Sequence, residues 1–153
     1  MNRWNLNSLI AGAILASIAA PALAETPIWS AEEAYAALLV DEILLLDIRR
    51  PSEWEDTGVA EGALPVSMHD KAFGQNLQAI LNKFSGKQIA MICAVGGRTE
   101  YVTGILAENG ISNIIDVSEG MMGNQRGKGW RAKGLPIVDK ATAEATYKAL
   151  MAK

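Results

Sequence analysis

The single cysteine of the sequence, Cys93, is the residue whose setting most suggests chemistry. It ends the apolar run Gln88 to Ile92 and opens a short loop that leads into a helical pattern, the loop residues being Ala94, Val95, Gly96, Gly97 and Arg98. Two glycines without an acidic neighbour allow this loop to curl so that successive backbone N–H groups face inward and bind an anion. The positive end of the following helix and the charge of Arg98 would strengthen that field. We therefore expect Cys93 to be a reactive nucleophile, the alternative being a small buried apolar residue at the end of a core strand.

Four further polar residues are candidates to support or share this chemistry. Asp47 and Arg49 are two positions apart at the end of an apolar run, so their side chains share one face. We expect a supporting buried pair that braces the Cys93 loop, or else a rim salt bridge contributing ~0–1 kcal/mol. Glu53 could join that network. His69 is the only histidine, and nothing in the sequence fixes its distance from Cys93, so we interpret it as a surface residue rather than a catalytic base.

A basic, glycine-rich stretch follows the last apolar run before the C-terminal helix. It spans Gly120 to Gly129 and continues through Trp130, with basic side chains at Arg126, Lys128, Arg131 and Lys133. The stretch could steer an anionic substrate toward the cysteine, or it could be an ordinary solvated loop. We expect Trp130 to anchor it in the core.

The elements that would position these residues alternate between strand and helix patterns. Strands are predicted at Ile43 to Ile48, Ala63 to Met68, Gln88 to Ile92 and Ile114 to Val117. Helices are predicted after Ser30, around Glu53 to Glu55, and over Phe73 to Phe84, Arg98 to Asn109 and Thr142 to Ala152. This order predicts an α/β fold with a mainly parallel central sheet flanked by helices on both faces. In such sheets ligands bind at the carboxyl ends of the strands, which places Asp47, Cys93 and Ser118 at one rim.

Composition excludes several classes of protein. The 153 residues carry 14 basic and 17 acidic side chains, a net charge of -3, which argues against a nucleic-acid partner. One cysteine excludes an internal disulfide and a zinc site built from several thiolates.

The first 24 residues have the pattern of a secretory signal peptide. Arg3 precedes the apolar run Leu9 to Ala20, and Pro21 to Ala24 ends on small residues. The run of 12 residues is shorter than the ~20 needed to span a bilayer, so cleavage after Ala24 is favoured over an uncleaved anchor. We expect a periplasmic protein, with a single domain over residues 25–153 and no membrane association after cleavage.

Three segments, in order, resemble the rhodanese (sulfurtransferase) family and together span most of residues 25–153. The first is Leu46-Asp47-Ile48-Arg49 with Glu53-Trp54, Gly58 and Gly62-Ala63; the second is the C-x-x-G-x-R loop from Cys93 to Arg98; the third is Glu119-Gly120 with Trp130. The resemblance implies a rhodanese-like fold, and it implies that Cys93 accepts a sulfane sulfur as a persulfide held by the amides of Ala94 to Arg98. It further implies a small anionic donor such as thiosulfate, a thiol or cyanide acceptor, and no metal or organic cofactor.

Two alternatives follow from details of the loop. Cysteine-dependent phosphatases use C-x5-R, whereas four residues separate Cys93 from Arg98 here, and a smaller ring of amides suits one sulfur atom better than a phosphoryl group. Ala94 is uncharged where thiosulfate-using members often carry a basic residue. The alternative to an enzyme is therefore a persulfide carrier or redox-sensing module that exchanges with a protein thiol partner.

Overall fold

The structure is a computed structural model and describes residues 25–153. The expected signal peptide, residues 1–24, lies outside the described residues. Within residues 25–153, no helix combines the length and apolar character that crossing a bilayer requires.

Across residues 25–153, seven strands form two sheets. In chain order they are β1 (Ile28–Trp29), β2 (Ile43–Asp47), β3 (Val59–Ala60), β4 (Leu64–Pro65), β5 (Gln88–Ile92), β6 (Ile114–Val117) and β7 (Ile137–Val138). The main sheet is parallel throughout, in the order β1-β6-β5-β2-β4, and β3 pairs antiparallel with β7 in a separate two-stranded sheet. This arrangement confirms the predicted mainly parallel α/β sheet.

Within residues 25–153 there are six helices, of which five lie between strands and the last follows β7. They are α1 (Ala31–Leu39), α2 (Pro51–Thr57), α3 (Phe73–Lys83), α4 (Gly97–Glu108), α5 (Gly129–Ala132) and α6 (Lys140–Ala152). The side chain of Ser30 accepts from the backbone N–H of Glu33, while the Glu33 carboxylate accepts from the backbone N–H of Ser30, which completes the capping box at the start of α1. Asp139 caps α6 by accepting from the N–H of Thr142 at 2.7 Å, so this helix begins two residues before the predicted Thr142.

The core lies on both faces of the main sheet because successive strand residues point to opposite sides. Ile43 and Leu45 of β2 join the cluster under α1 and Trp130, whereas Leu44 and Leu46 join the cluster under α3 and α4. Burial on both faces explains why β2, β5 and β6 read as almost continuous apolar runs.

The strand register places the predicted rim residues at one edge of the main sheet. Asp47 at the end of β2 is in register with Ile92 of β5, which in turn pairs with Val117 of β6. Cys93 and Ser118 are the next residues along their strands, so the three predicted rim positions meet at the carboxyl edge of the sheet.

The second predicted strand is much shorter than expected. It was predicted over Ala63 to Met68 and is limited to Leu64–Pro65. Pro65 lacks a donor N–H, and beyond it the chain stays beside β2 only through bonds from Val66 to Asp47 and from Met68 to the carbonyl of Ile48. Three two-residue strands, β1, β3 and β7, and the four-residue α5 have no prediction because elements this short leave no periodic pattern.

Trp130 anchors the segment between β6 and β7, as expected. Its side chain is fully buried, its ring meets the Tyr35 ring edge-on at 5.5 Å, and its Nε1 donates to the carbonyl of Pro136 at 2.8 Å. We expect Trp130→Phe to lower the free energy of unfolding by about 1–3 kcal/mol, since it removes the indole N–H bond to the half-buried Pro136 carbonyl and leaves a cavity at a fully buried position. Urea unfolding measures this, and Tyr101→Phe on the surface should change stability by less than about 0.5 kcal/mol. Equal effects of the two substitutions would contradict the anchoring role.

Candidate active site

Cys93 lies at the bottom of the loop that joins β5 to α4. The residue is buried, and its Sγ accepts from the backbone N–H of Gly96 at 3.2 Å. The hydroxyl of Thr99, on the first turn of α4, lies 3.8 Å from the same sulfur. The sulfur therefore sits at the positive end of a 12-residue helix, a position that stabilises a thiolate.

The loop conformation requires glycine at position 96. Gly96 has a φ of +89°, in the left-handed region that side chains disfavour, and a Cβ there would overlap the carbonyl oxygen of Ser118. Gly120 meets the same loop from the other side, where a Cβ would overlap the carbonyl of Ala94. The Cys93 loop and the chain leaving β6 are thus in direct backbone contact.

Hydrogen bonds fix this contact. The backbone N–H groups of Met121 and Met122 donate to the carbonyls of Cys93 and Ala94, both at 2.8 Å. The Asn124 side chain donates to the carbonyls of Val95 and Ser118 at 2.8 and 2.7 Å. Asn124 is a functional residue that sequence reasoning missed, because an asparagine among glycines carries no signal that distinguishes it from an ordinary turn residue.

The predicted loop residues differ in how they are presented. Gly96 is buried, Ala94 and Arg98 are half-buried, and Val95 and Gly97 are exposed, with 54% of the Val95 surface accessible. Of the amides from Ala94 to Arg98, the one at Gly96 donates to the sulfur in this structure. The amides of Gly97 and Arg98, in the first turn of α4, are among the helix N–H groups that lack an intrahelical partner.

Arg98 carries a paired charge rather than the free charge that the sequence suggested. Its guanidinium donates to both carboxylate oxygens of Glu53, at 2.7 and 2.6 Å. The Arg98 guanidinium lowers the pKa of the Glu53 carboxyl to about 2, and Glu53 in turn raises the pKa of Arg98. Glu53 is the α2 residue that ties the Cys93 loop to the neighbouring element.

Asp47 and Arg49 form a buried ion pair, with 2.7 Å between the charged groups. Arg49 also donates to the Thr57 hydroxyl and to the carbonyl of Gly58, both at 2.7 Å, so the pair holds both α2 and the turn after it. The pair is buried, and it reaches the Cys93 loop indirectly. Arg49 bonds to α2 and the turn after it, and Glu53 of α2 binds Arg98 of the loop.

The remaining candidates lie away from the sulfur or serve packing. His69 is exposed, and its recorded hydrogen bond runs from its backbone N–H to the Ser67 hydroxyl. Lys133 binds Glu119 and Glu32, at 2.6 and 2.5 Å, so part of the basic stretch is neutralised. Met122, whose backbone N–H donates to Ala94 of the loop, has a side chain that is 47% exposed.

Cys93 lies at the carboxyl edge of a parallel sheet, in a loop that leads into a helix. The protein is therefore an α/β domain with a thiol at the edge where such sheets bind ligands. Residues 30–126 match the Rhodanese-like domain family, and the chain belongs to that family. The resemblance seen in the three sequence segments is thereby confirmed.

Individual relatives agree with this assignment. An uncharacterized protein of Rickettsia prowazekii is 28% identical over 105 residues, which cover 65% of this chain and 85% of the relative. Thiosulfate sulfurtransferase from Pseudomonas aeruginosa shares the fold with a TM-score of 0.58 at 23% identity, over 74% of this chain and 20% of that one. The polysulfide-sulfur transferase homodimer from Wolinella succinogenes has a TM-score of 0.53 at 25% identity, over 76% of this chain and 80% of that one.

Removing one partner of the buried Asp47–Arg49 pair should destabilise the folded protein. Asp47→Asn leaves the Arg49 charge buried beside a neutral amide, so we expect the free energy of unfolding to fall by about 3–5 kcal/mol in urea titrations. Asp41→Asn is the matched control, because Asp41 pairs with Lys87 at the surface and should contribute less than about 1 kcal/mol. A loss below 1 kcal/mol for Asp47→Asn would show that the buried pair does not hold α2.

The Glu53–Arg98 pair predicts acid sensitivity. Because the folded pKa of Glu53 is about 2, below its ordinary value of 4.5, its contribution is present above pH 5 and is lost as the pH falls toward 2. We expect Glu53→Gln to lower the free energy of unfolding by about 1–3 kcal/mol at pH 7, and we expect this effect to shrink as the pH falls through about 2. Glu55→Gln, which removes an exposed carboxylate from the same helix, should change it by less than about 0.5 kcal/mol. A pH-independent effect of Glu53→Gln would contradict the ion-pair explanation.

Proposed function

We propose that this protein is a sulfurtransferase in which Cys93 carries a sulfane sulfur from a donor to a thiophilic acceptor. The observation that carries the proposal is the Cys93 sulfur held by the Gly96 N–H at the start of α4. Membership of the Rhodanese-like domain family supports a sulfur-transfer or persulfide-related role. The identity of the donor and acceptor goes beyond that support.

The reaction needs two displacements at sulfur. The Cys93 thiolate attacks the outer sulfur of a donor such as thiosulfate, the S–S bond of the donor breaks, and sulfite leaves with the electron pair. An acceptor thiolate or cyanide then attacks the outer sulfur of the Cys93 persulfide, and Cys93 leaves as a thiolate. Each half-reaction conserves charge without a general base, so the exposed His69 has no part to play.

The loop supplies stabilisation of negative charge. A persulfide extends one sulfur beyond Sγ, into the space faced by backbone N–H groups at the start of α4. Fixed dipoles of this kind need no rearrangement when the charge moves from one sulfur to the next. Neither half-reaction calls for a metal or an organic cofactor.

A second candidate function is a persulfide carrier or thiol redox sensor with little small-molecule turnover. It is favoured by the loop itself, where Ala94 and Val95 are uncharged and the guanidinium of Arg98 is already bound by Glu53. A doubly charged donor such as thiosulfate would meet no unpaired loop cation there. A protein thiol or persulfide would not need one.

We further propose that the protein works in the periplasm after cleavage behind Ala24. Its single cysteine has no second thiol in the chain to resolve a mixed disulfide or a persulfide. An external thiol, small or protein-borne, would have to clear Cys93 in that oxidising compartment.

Sulfur transfer is tested by adding thiosulfate and then cyanide to the purified protein, with thiocyanate release and intact mass as readouts. We expect the mass of one sulfur atom on the protein and repeated turnover, both abolished by Cys93→Ser. His69→Ala is the matched control and should keep turnover within about twofold, because neither displacement needs a general base.

The two candidate functions predict different results. A gain in mass without turnover would support the persulfide carrier and would reject a sulfurtransferase that uses thiosulfate. A Cys93 that gains no sulfur and reacts with iodoacetamide no faster than a free thiol would reject both.

A further inference from the structure

Asp116, the third residue of β6, is a buried carboxyl that the sulfur-transfer steps do not use. It is in register with Met91 of β5, two residues before Cys93, and strand alternation turns it to the sheet face that carries Ile114 and Cys93. The residue is 2% exposed, and within residues 25–153 its Oδ1 atom has no hydrogen-bond partner. A buried, unpartnered acceptor is unfavourable, most of all when it is ionised.

The groups around Asp116 come from three sides. α4 covers it with the buried hydroxyl of Thr99 and with Glu100, and the segment after β6 contributes Arg126. The residues paired with it in the neighbouring strands, Met91 and Ile28, are apolar.

These surroundings favour the protonated acid. Burial raises the pKa of Asp116 above its ordinary value of 3.8, and the negative charge of Glu100 acts in the same direction. The Thr99 hydroxyl and the charge of Arg126 act the other way, and burial is the larger effect. The carboxyl therefore ionises at a higher pH than an exposed aspartate.

The Thr99 hydroxyl acts on the Asp116 carboxyl and also lies beside the reactive sulfur. Its Oγ1 donates to the carbonyl of Gly96 at 2.8 Å and lies 3.8 Å from the Sγ of Cys93. A threonine hydroxyl has one proton to donate. While Asp116 is protonated, that proton is available to Gly96 or to the sulfur. Once Asp116 ionises, its carboxylate competes for the proton and adds a negative charge near the sulfur.

We propose that Asp116 is a positioning residue for Cys93, acting through the Thr99 hydroxyl: the protonated carboxyl supports a reactive sulfur, and the ionised carboxylate suppresses it. The inference rests on the proposed role of Cys93 as the sulfur-carrying nucleophile. It makes the site sensitive to pH through a residue outside the C-x-x-G-x-R loop.

The test is the rate of Cys93 alkylation by iodoacetamide as a function of pH, in the wild-type protein and in Asp116→Asn. Cys93 is the only thiol, so the rate reports on this sulfur alone. Asparagine keeps the shape and one carbonyl acceptor but cannot ionise. We expect the variant-to-wild-type ratio to be close to one at the acidic end of the profile, where Asp116 is protonated. The ratio should rise through a single ionisation and reach about three- to tenfold once Asp116 is ionised.

Two further substitutions separate this role from a structural one. Glu108→Gln removes an exposed carboxylate from the far end of α4 and should keep the rate within about twofold at every pH. In a Thr99→Val background the effect of Asp116→Asn should fall to less than half. A ratio that does not vary with pH, or an equal effect of Glu108→Gln, overturns the proposal.

If Asp116→Asn fails to fold, the proposal is tested in the wild-type protein. The carboxyl ¹³C signal of Asp116, followed by NMR, should titrate at the same pH as an inflection in the alkylation profile. Titration without an inflection overturns the proposal. Alkylation does not require sulfur transfer, so this result is independent of whether the protein releases thiocyanate.

Discussion

The Cys93 loop depends on close backbone contact with the chain that leaves β6. Gly96 lies against the carbonyl of Ser118 and Gly120 lies against that of Ala94, at distances that exclude a Cβ on either side. This contact keeps Gly96 in the left-handed conformation, which turns its N–H toward the sulfur and starts α4 one residue later. Cys93, the Gly96 N–H that donates to it and the helix that begins there are therefore positioned by one interface between two loops.

A second support reaches the same loop from β2. The Asp47–Arg49 pair is fully buried, and isolated buried pairs often contribute little net stability because desolvation offsets their attraction. Here Arg49 uses further donors on Thr57 and on the Gly58 carbonyl, which satisfies its guanidinium and holds α2. The half-buried Glu53–Arg98 pair then joins α2 to the loop. These two ion pairs therefore connect elements of the fold and leave neither of the two guanidinium groups unpaired for a ligand.

The sequence was most informative where a pattern is local. β5 and β6 have the predicted bounds because a buried parallel strand is a continuous apolar run with a clear beginning and end. The Asp47–Arg49 pair was also predictable, since the two residues lie two positions apart on one strand. The bidentate pair between Glu53 and Arg98 joins residues 45 positions apart, and the bonds from Asn124 to the loop depend on how two turns meet. No spacing rule carries that information, and the same is true of β3 and β7, which pair only after the whole sheet has formed.

The electrostatics of the sulfur follow from these supports. Its stabilisation comes from a backbone N–H and a helix terminus, a partial charge of roughly half a unit that falls off within one turn. The guanidinium nearest in sequence is bound to Glu53, while Asp116 lies behind Thr99 on the same sheet face. Such a site stabilises a negative charge on the sulfur that is already bound. It attracts a doubly charged anion from solution less strongly. Under the proposed function, selection of a sulfur donor would rest on contacts at the loop rim, where Val95 and Met122 present apolar surface.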